Sequence, residues 1–416
     1  MKYLILLDRK FPYKSGESFL ENEINEISKY FDKIMIFPID VAIDAEKTRE
    51  ILSENVELFP TGKKDFQKSK IEYLLGSSKF IFSTKNEAKG LKNKLFESYY
   101  LSICEKKTAE IMDVLKKISF TSDDEVYLYS YWLYTTSSIA VELKDYFNKK
   151  NIKNILFSRA HRFDIYLEET KLNYLPQRNK LLENIEYIYA CSDNGAKYLK
   201  EMFKKYSSKI ECSYLGTYDH GINQKSNDNV FRIVSCSRVS DVKRVHLIAE
   251  ALKRIEEKDE NVKIEWTHIG AGEMFDNLKS IIDNLNFKNI KINLIGAISN
   301  VDVYNFYNEH HSDLFINVSS SEGVPVSIME AISFGIPVIA TNAGGTGEIV
   351  VNDRSGILMS KDFELEELVE NIMKIYNMPL NEYIELREKT RNLWIEKYQG
   401  KKNYKNFANE ILNKIN

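Results

Sequence analysis

Short apolar segments alternate with longer segments of helical periodicity along the whole chain. In the first half, apolar residues occupy both odd and even positions of the short runs, as expected for strands buried on both faces. These runs are Tyr3–Leu7, Lys33–Phe37, Glu125–Tyr131, Asn154–Phe157, Ile185–Ala190 and Lys209–Tyr214. Helical patterns begin at Ser18 and cover Thr135–Phe147 and Asn194–Tyr206. This order predicts a series of β-α-β units.

The second half repeats the alternation after a polar segment. Residues 216–229 offer almost nothing to bury and are predicted to be a linker. The predicted strands are Phe231–Ser235, Val262–His268, Ile290–Ile295, Leu314–Val318 and Pro337–Ala340, and the predicted helices are Arg244–Ile255, Met274–Asn284, Val301–Tyr307, Val326–Phe334 and Leu365–Tyr376. The fold class predicted is α/β, with two Rossmann-like doubly wound domains facing across a cleft.

The domain boundaries follow from the same pattern. The first domain is predicted at 1–215, the linker at 216–229 and the second domain at 230–395. Residues 396–416 are predicted to form a C-terminal helix that packs back on the first domain.

Composition then restricts the functional classes. A length of 416 residues suits two domains, and 43% hydrophobic residues exclude wholesale disorder. The net charge of −3 provides no basic field for nucleic acid. Four scattered cysteines without a C-x-x-C pair indicate reduced thiols. No apolar run reaches the ~18 residues of a membrane span, and the start lacks a signal-peptide pattern. We therefore expect a cytoplasmic protein.

The richest candidate segment begins where the strand Leu314–Val318 ends. Pro325 suits the first turn of the next helix, and the N–H groups of Val326 and Ser327 at such a terminus bind anions. Glu330 lies four and three residues beyond them, hence on the same helix face. A carboxylate there accepts hydrogen bonds from a diol while the helix terminus binds an anion.

The loops on both sides of this helix add to the prediction. Glu322 precedes the helix and can point toward the same pocket, and residues 342–348 form a glycine-containing loop after the next strand. The alternative is that Ser327, Glu330 and Ser333 form the solvated stripe of an amphipathic helix. The neighbouring glycine loops reduce the weight of that alternative.

Two cations and one histidine follow other predicted strands. Arg238 and Lys243 come after the strand Phe231–Ser235, where a fork-shaped and a compact cation suit a diphosphate. A solvated turn is an equal alternative for this pair. His161 follows the strand Asn154–Phe157, although a lone histidine is more often structural.

Other cofactor motifs are absent from the sequence. No His, Cys, Asp or Glu set has metal-ligand spacing, and there is no phosphate-binding P-loop motif. Gly270-Ala271-Gly272 follows a predicted strand, but Phe275 replaces the third glycine of a dinucleotide fingerprint. We therefore expect no metal and no bound cofactor.

Together these elements resemble glycosyltransferase family 4, which contains retaining enzymes of the GT-B architecture. The matching elements are Phe11-Pro12 with Gly16, His161, the pair Arg238 and Lys243, the E-x7-E spacing from Glu322 to Glu330, the segment 334–340, and Gly344-Gly345-x-x-Glu348. The resemblance covers both halves of the chain and is strongest from 231 to 358.

The resemblance implies a role for each candidate residue. Glu330 would bind the ribose hydroxyls, and Glu322 with the backbone of Gly323, Val324 and Pro325 would bind the transferred sugar. Arg238, Lys243 and the helix terminus at Val326 and Ser327 would neutralise the departing diphosphate, with Gly16 also near the donor phosphates. His161 would contact the sugar from the first domain, and the backbone of Gly296, Ala297 and Ile298 would contact the base.

The activity implied is metal-independent, retaining glycosyl transfer in the synthesis of bacterial surface polysaccharide. The donor would be a nucleotide-diphosphate sugar, UDP- or GDP-linked, bound by the second domain. The first domain would bind the acceptor, a glycan or a lipid-linked glycan. One alternative is a sugar-nucleotide epimerase, and another is a catalytically silent homologue that binds a sugar nucleotide or a partner glycosyltransferase.

A basic and aromatic segment lies in the first half. Residues 61–100 contain nine lysines and carry a net charge of +5, with Phe66, Tyr73, Phe80, Phe82, Phe96, Tyr99 and Tyr100 interspersed. This combination predicts peripheral attachment to the inner face of the plasma membrane. The alternative is a solvated helical hairpin whose aromatic side chains pack inward.

Overall fold

The computed structural model describes residues 1–13, 17–51, 53–62, 66–224, 226 and 228–415. The chain divides into two compact units, of which unit 1 comprises Met1–Leu215 with Gly400–Asn416 and unit 2 comprises Gly216–Gln399.

The described part of unit 1 contains one parallel sheet of seven strands. The strands are β1 (Lys2–Asp8), β2 (Lys33–Pro38), β3 (Val56–Leu58), β4 (Glu125–Ser130), β5 (Lys153–Ala160), β6 (Tyr187–Ala190) and β7 (Ile210–Cys212). Their order is β3-β2-β1-β4-β5-β6-β7, and every pair is parallel. Strands β1 and β4 are buried on both faces because their side chains are apolar at odd and even positions.

Helices connect these strands and form the outer layers of unit 1. They are α1 (Ser18–Ile27), α2 (Phe66–Ser77), α3 (Leu91–Leu115), α4 (Thr135–Lys149), α5 (Arg162–Ile165), α6 (Arg178–Asn184) and α7 (Asp193–Met202). Helices α2 and α3 form a hairpin inserted between β3 and β4.

The described part of unit 2 contains a second parallel sheet, of six strands. These are β8 (Phe231–Cys236), β9 (Ile264–Ile269), β10 (Lys291–Gly296), β11 (Leu314–Asn317), β12 (Val338–Thr341) and β13 (Gly356–Met359), in the order β10-β9-β8-β11-β12-β13. The helices are α8 (His246–Lys258), α9 (Phe275–Leu285), α10 (Asn300–Glu309), α11 (Val326–Ser333), α12 (Thr346–Ile349), α13 (Leu365–Tyr376) and α14 (Leu380–Lys397). Both orders are those of doubly wound sheets, so the predicted α/β class is confirmed.

The stretch predicted as a linker contributes to the packing of unit 2. Thr217 is buried, and its hydroxyl accepts a hydrogen bond from the indole N–H of Trp394 at 2.8 Å. Asn223 is also buried, and its amide accepts from the backbone N–H of Ser312 at 2.9 Å and donates to the carbonyl of His310 at 2.9 Å. Residues 217–223 are therefore held by side-chain hydrogen bonds despite their polar composition.

The last helix, α15 (Gly400–Leu412), belongs to unit 1. Its Phe407 ring lies 4.4 Å from the guanidinium carbon of Arg159. Arg159 is fully buried and pairs with the equally buried Glu23 at 3.0 Å. The Tyr129 hydroxyl donates to Glu23 at 2.6 Å and accepts from Arg159 at 2.7 Å. A buried charge pair needs such hydrogen-bond partners. Helix α15 covers the Arg159–Glu23 pair with the ring of Phe407.

Within the described residues, no helix is long and apolar enough to cross a membrane.

Candidate functional site

The sheet order of unit 2 reverses between β8 and β11, which lie side by side. Connections from β8 lead to one edge of the sheet, and connections from β11 lead to the other. A crevice forms beyond the carboxyl ends of strands at such a point, and ligands of open α/β sheets bind there. Strand β8 ends at Cys236 and β11 ends at Asn317, so the loops after these residues line the crevice.

The two loops bring Lys243 and Glu322 together. The ammonium of Lys243 lies 2.6 Å from Oε1 of Glu322, whose side chain is only 9% exposed. Asn317, at the end of β11, donates its amide N–H to the same oxygen at 3.0 Å. The amide oxygen of Asn317 in turn accepts from the backbone N–H of Ser319 at 3.0 Å. Glu322 is therefore held by a cation and an amide whose positions are fixed by separate strands.

Backbone contacts join the same loops. The N–H of Ser320 donates to the carbonyl of Val242 at 2.8 Å, and the guanidinium of Arg244 donates to the carbonyl of Val318 at 2.8 Å. These bonds fix the loop after β8 against the loop after β11, which positions the Lys243–Glu322 pair.

The glycine loop after β12 packs against the backbone around Glu322. Gly344 has a φ of +56°, and a Cβ there would lie 1.9 Å from the carbonyl oxygen of Glu322. The N–H of Gly345 donates to the carbonyl of Gly323 at 2.7 Å. These glycines of the predicted loop therefore allow close approach of one loop to another.

Helix α11 begins beside this cluster, and Glu330 lies on it. Pro325 occupies the cap position rather than the first turn, and the helix starts at Val326 with no side-chain cap. Its first-turn N–H groups, including that of Ser327, thus remain available to an anion. Glu330 is 4% exposed, and burial raises its pKa to about 7 while a hydrogen bond from Tyr304, at 3.2 Å, opposes that rise.

Nothing in the sequence indicated Tyr304, which contacts Glu330, or His220, which stacks on Tyr304. Tyr304 lies on α10, and the imidazole of His220 stacks on its ring with centroids 4.0 Å apart. His220 lies in the stretch predicted to be a linker, and burial lowers the pKa of its imidazole. A tyrosine within a helical pattern carries no local signal of this role, because the contact depends on how α10 and α11 pack.

Arg238 and the segment 296–298 are further predicted residues of unit 2. The side chain of Arg238 is 71% exposed and pairs with Glu273 at 2.8 Å. Gly296 ends β10 with a φ of +82° and accepts from the N–H of Gly270 at 2.8 Å. Ala297 is exposed and Ile298 is half-buried in the loop that follows.

His161 in unit 1 follows β5 directly and precedes α5. Its ring lies 4.8 Å from that of Tyr131 and 4.6 Å from that of Trp132, and Nδ1 lies 3.4 Å from the Cys191 sulfur. Its Nε2 is inaccessible and has no hydrogen-bond partner among the described residues. Burial, with the nearby Arg159 charge, lowers the pKa of His161 to about 3. The imidazole is thus neutral at physiological pH. Gly16 lies outside the described residues.

No group of three or more potential metal ligands occurs within the described ranges.

Residues 220–393 match the family model described as glycosyl transferases group 1. The matched range lies inside unit 2 and contains Lys243, Glu322 and Glu330.

Similar curated proteins include WcaL of Escherichia coli strain K12, whose name assigns it to colanic acid biosynthesis as a glycosyltransferase. It is 25% identical over 49% of this chain and 50% of its own length. The amylovoran biosynthesis glycosyltransferase AmsK of Erwinia amylovora is 27% identical over 36% of this chain and 38% of its own length. The chain spans about half or less of the length of these relatives.

Solved structures resemble the chain over nearly its whole length. A glycosyltransferase from Rickettsia africae has a TM-score of 0.68 at 18% identity, and each chain covers 99% of the other. HepE of Anabaena, in complex with UDP and glucose, has a TM-score of 0.65 at 14% identity, again over 99% of both chains. These neighbours confirm the GT-B fold. Residues 220–393 of unit 2 thus match a glycosyl transferases group 1 model, in a chain with this fold.

Proposed function

We propose that the protein is a retaining glycosyltransferase that moves a sugar from a nucleotide-diphosphate sugar to a glycan or a lipid-linked glycan. The biological context proposed is the synthesis of a bacterial surface polysaccharide. Support comes from the family match of unit 2 and from relatives named for colanic acid and amylovoran biosynthesis.

One observation carries the proposal. Lys243, Glu322 and the start of α11 converge at the topological switch point of unit 2, with the buried Glu330 on the same helix. A cation and uncapped N–H groups suit a diphosphate, and a carboxylate on the next turn suits the two ribose hydroxyls. A solvated helix stripe, the alternative for Glu330, requires an exposed side chain, whereas Glu330 is 4% exposed.

The proposed reaction breaks the bond between the anomeric carbon of the sugar and the diphosphate oxygen. An acceptor hydroxyl attacks the same face of the sugar and forms the new glycosidic bond, while its proton passes to the oxygen of the nucleoside diphosphate that leaves. Negative charge develops on the leaving diphosphate, where Lys243 and the α11 terminus would stabilise it. Removing one preorganised donor of this kind typically lowers the rate ~100–1000-fold.

Each further residue has a proposed part in this reaction. The backbone of Gly323, Val324 and Pro325 would bind the transferred sugar beside Glu322. Arg238 would have to leave Glu273 to reach the diphosphate, and its 71% exposed side chain is free of packing that would prevent this. We propose that these cations serve where other transferases use a metal ion.

The test begins with binding of UDP- and GDP-sugars, measured by calorimetry on wild type, Lys243→Met and Glu330→Gln. Lys389→Met is the matched control, because Lys389 forms an exposed pair with Glu385 on α14. We expect one donor to bind wild type and the control, and to bind both site variants at least tenfold more weakly. If both site variants bind the donor as tightly as wild type does, the proposed donor site is refuted.

Transfer itself is tested by the release of nucleoside diphosphate with lipid-linked or free glycan acceptors. The anomeric configuration of the product tests retention, and activity after treatment with a chelator tests metal independence. Donor binding without hydrolysis or transfer would instead support a catalytically silent homologue.

We also propose that unit 1 attaches to an anionic membrane surface through the α2–α3 hairpin. Tyr73, Phe80 and Tyr100 pack inward, as the alternative predicts. Phe82, however, is 94% exposed and Leu75 is 72% exposed. Ile71, Leu74, Leu91 and Leu95 on the hairpin are also exposed apolar residues, and Lys85, Lys89 and Lys92 beside them are exposed. Exposed apolar and exposed basic side chains together suit an anionic lipid interface.

A further inference from the structure

A side-chain hydrogen bond joins helix α10 to the carboxyl group of Glu330 on α11. The hydroxyl of Tyr304 donates to Oε1 of Glu330 at 3.2 Å, and both side chains are buried. The other oxygen, Oε2, accepts no hydrogen bond from the residues that the structure describes. The protein therefore holds one oxygen of this carboxyl group and leaves the other to a ligand.

The ring of Tyr304 packs against two other rings. The imidazole of His220 stacks on it with centroids 4.0 Å apart and planes 25° apart. The ring of Phe334, which directly follows α11, lies 6.4 Å from that of Tyr304. A phenol packed in this way has little room to change its rotamer, so its hydroxyl stays directed toward Glu330.

Tyr307 shows that a tyrosine can occupy this region without such a bond. It lies three residues beyond Tyr304 and hence on the same side of α10. It is fully buried, and its ring lies 5.1 Å from that of Phe334. Its hydroxyl has no hydrogen-bond partner among the described residues. Packing alone accounts for Tyr307, whereas the hydroxyl of Tyr304 has a specific acceptor.

We propose that Tyr304 is a positioning residue for the nucleotide-sugar site, whose hydroxyl holds the Glu330 carboxylate in place and ionised for the ribose hydroxyls. A hydrogen bond donated to the charged form of a carboxyl group favours that form. Burial acts in the opposite direction, and the balance leaves the pKa of Glu330 at about 7. The inference rests on the proposed function, because it takes Glu330 as the group that binds the ribose.

Other titratable side chains surround Glu330 on several elements. They are Cys236 at the end of β8, Tyr307 on α10, Arg391 on α14, His220 before β8, and the ion pair of Lys243 with Glu322 in the loops. Burial raises the pKa of Cys236 to about 12 and that of Tyr307 well above its usual value. Burial lowers the pKa of His220, so its imidazole is neutral at pH 7 and above. Arg391 contacts the last carbonyl of α11, at the opposite end from the ion pair.

The experiment compares Tyr304→Phe with Tyr307→Phe, a matched control that removes a hydroxyl from the same helix. NMR of carbon-labelled glutamate carboxyl groups measures ionisation in the full chain without donor, and Glu330→Gln assigns the signal. We expect a midpoint near pH 7 in wild type and in the control. The midpoint should lie about one pH unit higher in Tyr304→Phe. Thermal unfolding confirms that each variant is folded.

Calorimetry with UDP- and GDP-sugars at pH 7 and pH 9 tests the role in the donor site. At pH 7, Tyr304→Phe should bind the donor about fivefold more weakly than wild type, because a smaller fraction of Glu330 is ionised. At pH 9 Glu330 is mostly ionised in both proteins, so the difference should shrink to about twofold or less. Tyr307→Phe should bind as wild type does at both pH values.

The possible outcomes separate this inference from the proposed function. An unchanged midpoint in Tyr304→Phe would overturn the inference, as would an equal shift in Tyr307→Phe. Equal weakening of donor binding at pH 7 and pH 9 would also overturn it, because a purely structural role is independent of ionisation. If the midpoint moves as expected but no nucleotide sugar binds wild type, the proposed function fails, while the effect of Tyr304 on the ionisation of Glu330 stands.

Discussion

The ammonium of Lys243 lies 2.6 Å from Oε1 of Glu322, although the two residues are 79 positions apart. The loops after two adjacent strands of unit 2 create this contact. Glu322 is 9% exposed and Lys243 is 24% exposed, so the pair is largely withdrawn from water. Removing one partner of such a pair leaves the other charge without compensation.

We expect Lys243→Met to lower the free energy of unfolding of unit 2 by about 1–3 kcal/mol. Adding Glu322→Gln to that variant should recover part of this loss, because the neutral amide no longer needs a cation. Urea unfolding of the two single variants and the double variant measures the coupling. Purely additive effects would contradict an energetic link between the two side chains.

Glu330 makes stability depend on pH. Burial raises its native-state pKa to about 7 from 4.5, so the native state binds the proton more tightly than the unfolded state. Stability therefore falls as pH rises from 4.5 to about 7, and it stays reduced above that range. We expect Glu330→Gln to be more stable than wild type by about 1–3 kcal/mol at pH 8, with little difference at pH 4.

Ionisation of Glu330 should also change the affinity for the donor. Ribose hydroxyls donate to a carboxylate, so the affinity for a nucleotide sugar should increase as pH rises from 6 to 8. Calorimetry of wild type and Glu330→Gln measures this, and the variant should lack the pH dependence. An identical profile in both proteins would exclude Glu330 as the ribose-binding group.

Glu256 is buried like Glu330, but its pKa is lowered rather than raised. It lies on α8, and Oε1 accepts the backbone N–H groups of Lys288, Asn289 and Ile290 at 2.9, 2.7 and 3.0 Å. Burial alone would raise its pKa, but the Lys253 ammonium and these N–H groups lower it to about 2. The stabilisation is present above pH 4.5 and is lost as pH falls toward 2. Glu256→Gln should unfold about 2–4 kcal/mol more easily at pH 7, with nucleotide-sugar affinity unchanged in the folded protein.

Much of this architecture could be predicted because buried parallel strands appear in the sequence as short apolar runs. The runs at Tyr3–Leu7 and Leu314–Val318 match β1 and β11 within a residue or two. The short edge strand β3 escaped prediction, since Val56–Leu58 has a charged centre and half-exposed ends.

Only part of the candidate site could be predicted from the sequence. Glu322 and Lys243 each follow a strand, so their convergence could be expected from the sheet order. Tyr304 could not be found, because its contact with Glu330 depends on the packing of α10 against α11. His220, which stacks on Tyr304, lies in a stretch that appeared polar. Gly344 was predicted only as part of a glycine-containing loop, and its φ with its closeness to Glu322 fixes a loop–loop contact there.

His161 should remain neutral over the working range of pH. Burial and the Arg159 charge lower its pKa to about 3, whereas the unfolded chain takes up a proton near 6.5. Native stability should therefore fall as pH decreases below 6.5, and less steeply in His161→Gln. NMR of the imidazole carbons, assigned with that variant, should show no titration of His161 between pH 5 and 8. A midpoint near 6.5 would contradict the environment described here.

The hairpin of unit 1 leads to the last prediction, which concerns membrane attachment. Phe82, Leu74 and Leu75 are 94%, 61% and 72% exposed, so these apolar side chains lie at the surface of the hairpin. We expect sedimentation of wild type with vesicles containing anionic phosphatidylglycerol, decreasing with salt because charges at the surface are screened. Changing all three residues to serine should weaken binding about tenfold or more.

The matched control changes Leu380 and Ile384 to serine, since these residues are 55% and 45% exposed on α14 of unit 2. That variant should bind vesicles as wild type does, which separates a specific surface from a general loss of hydrophobicity. Binding by wild type to neutral phosphatidylcholine alone would assign attachment to the apolar side chains without the lysines. Absence of binding to anionic vesicles at low salt would refute the attachment.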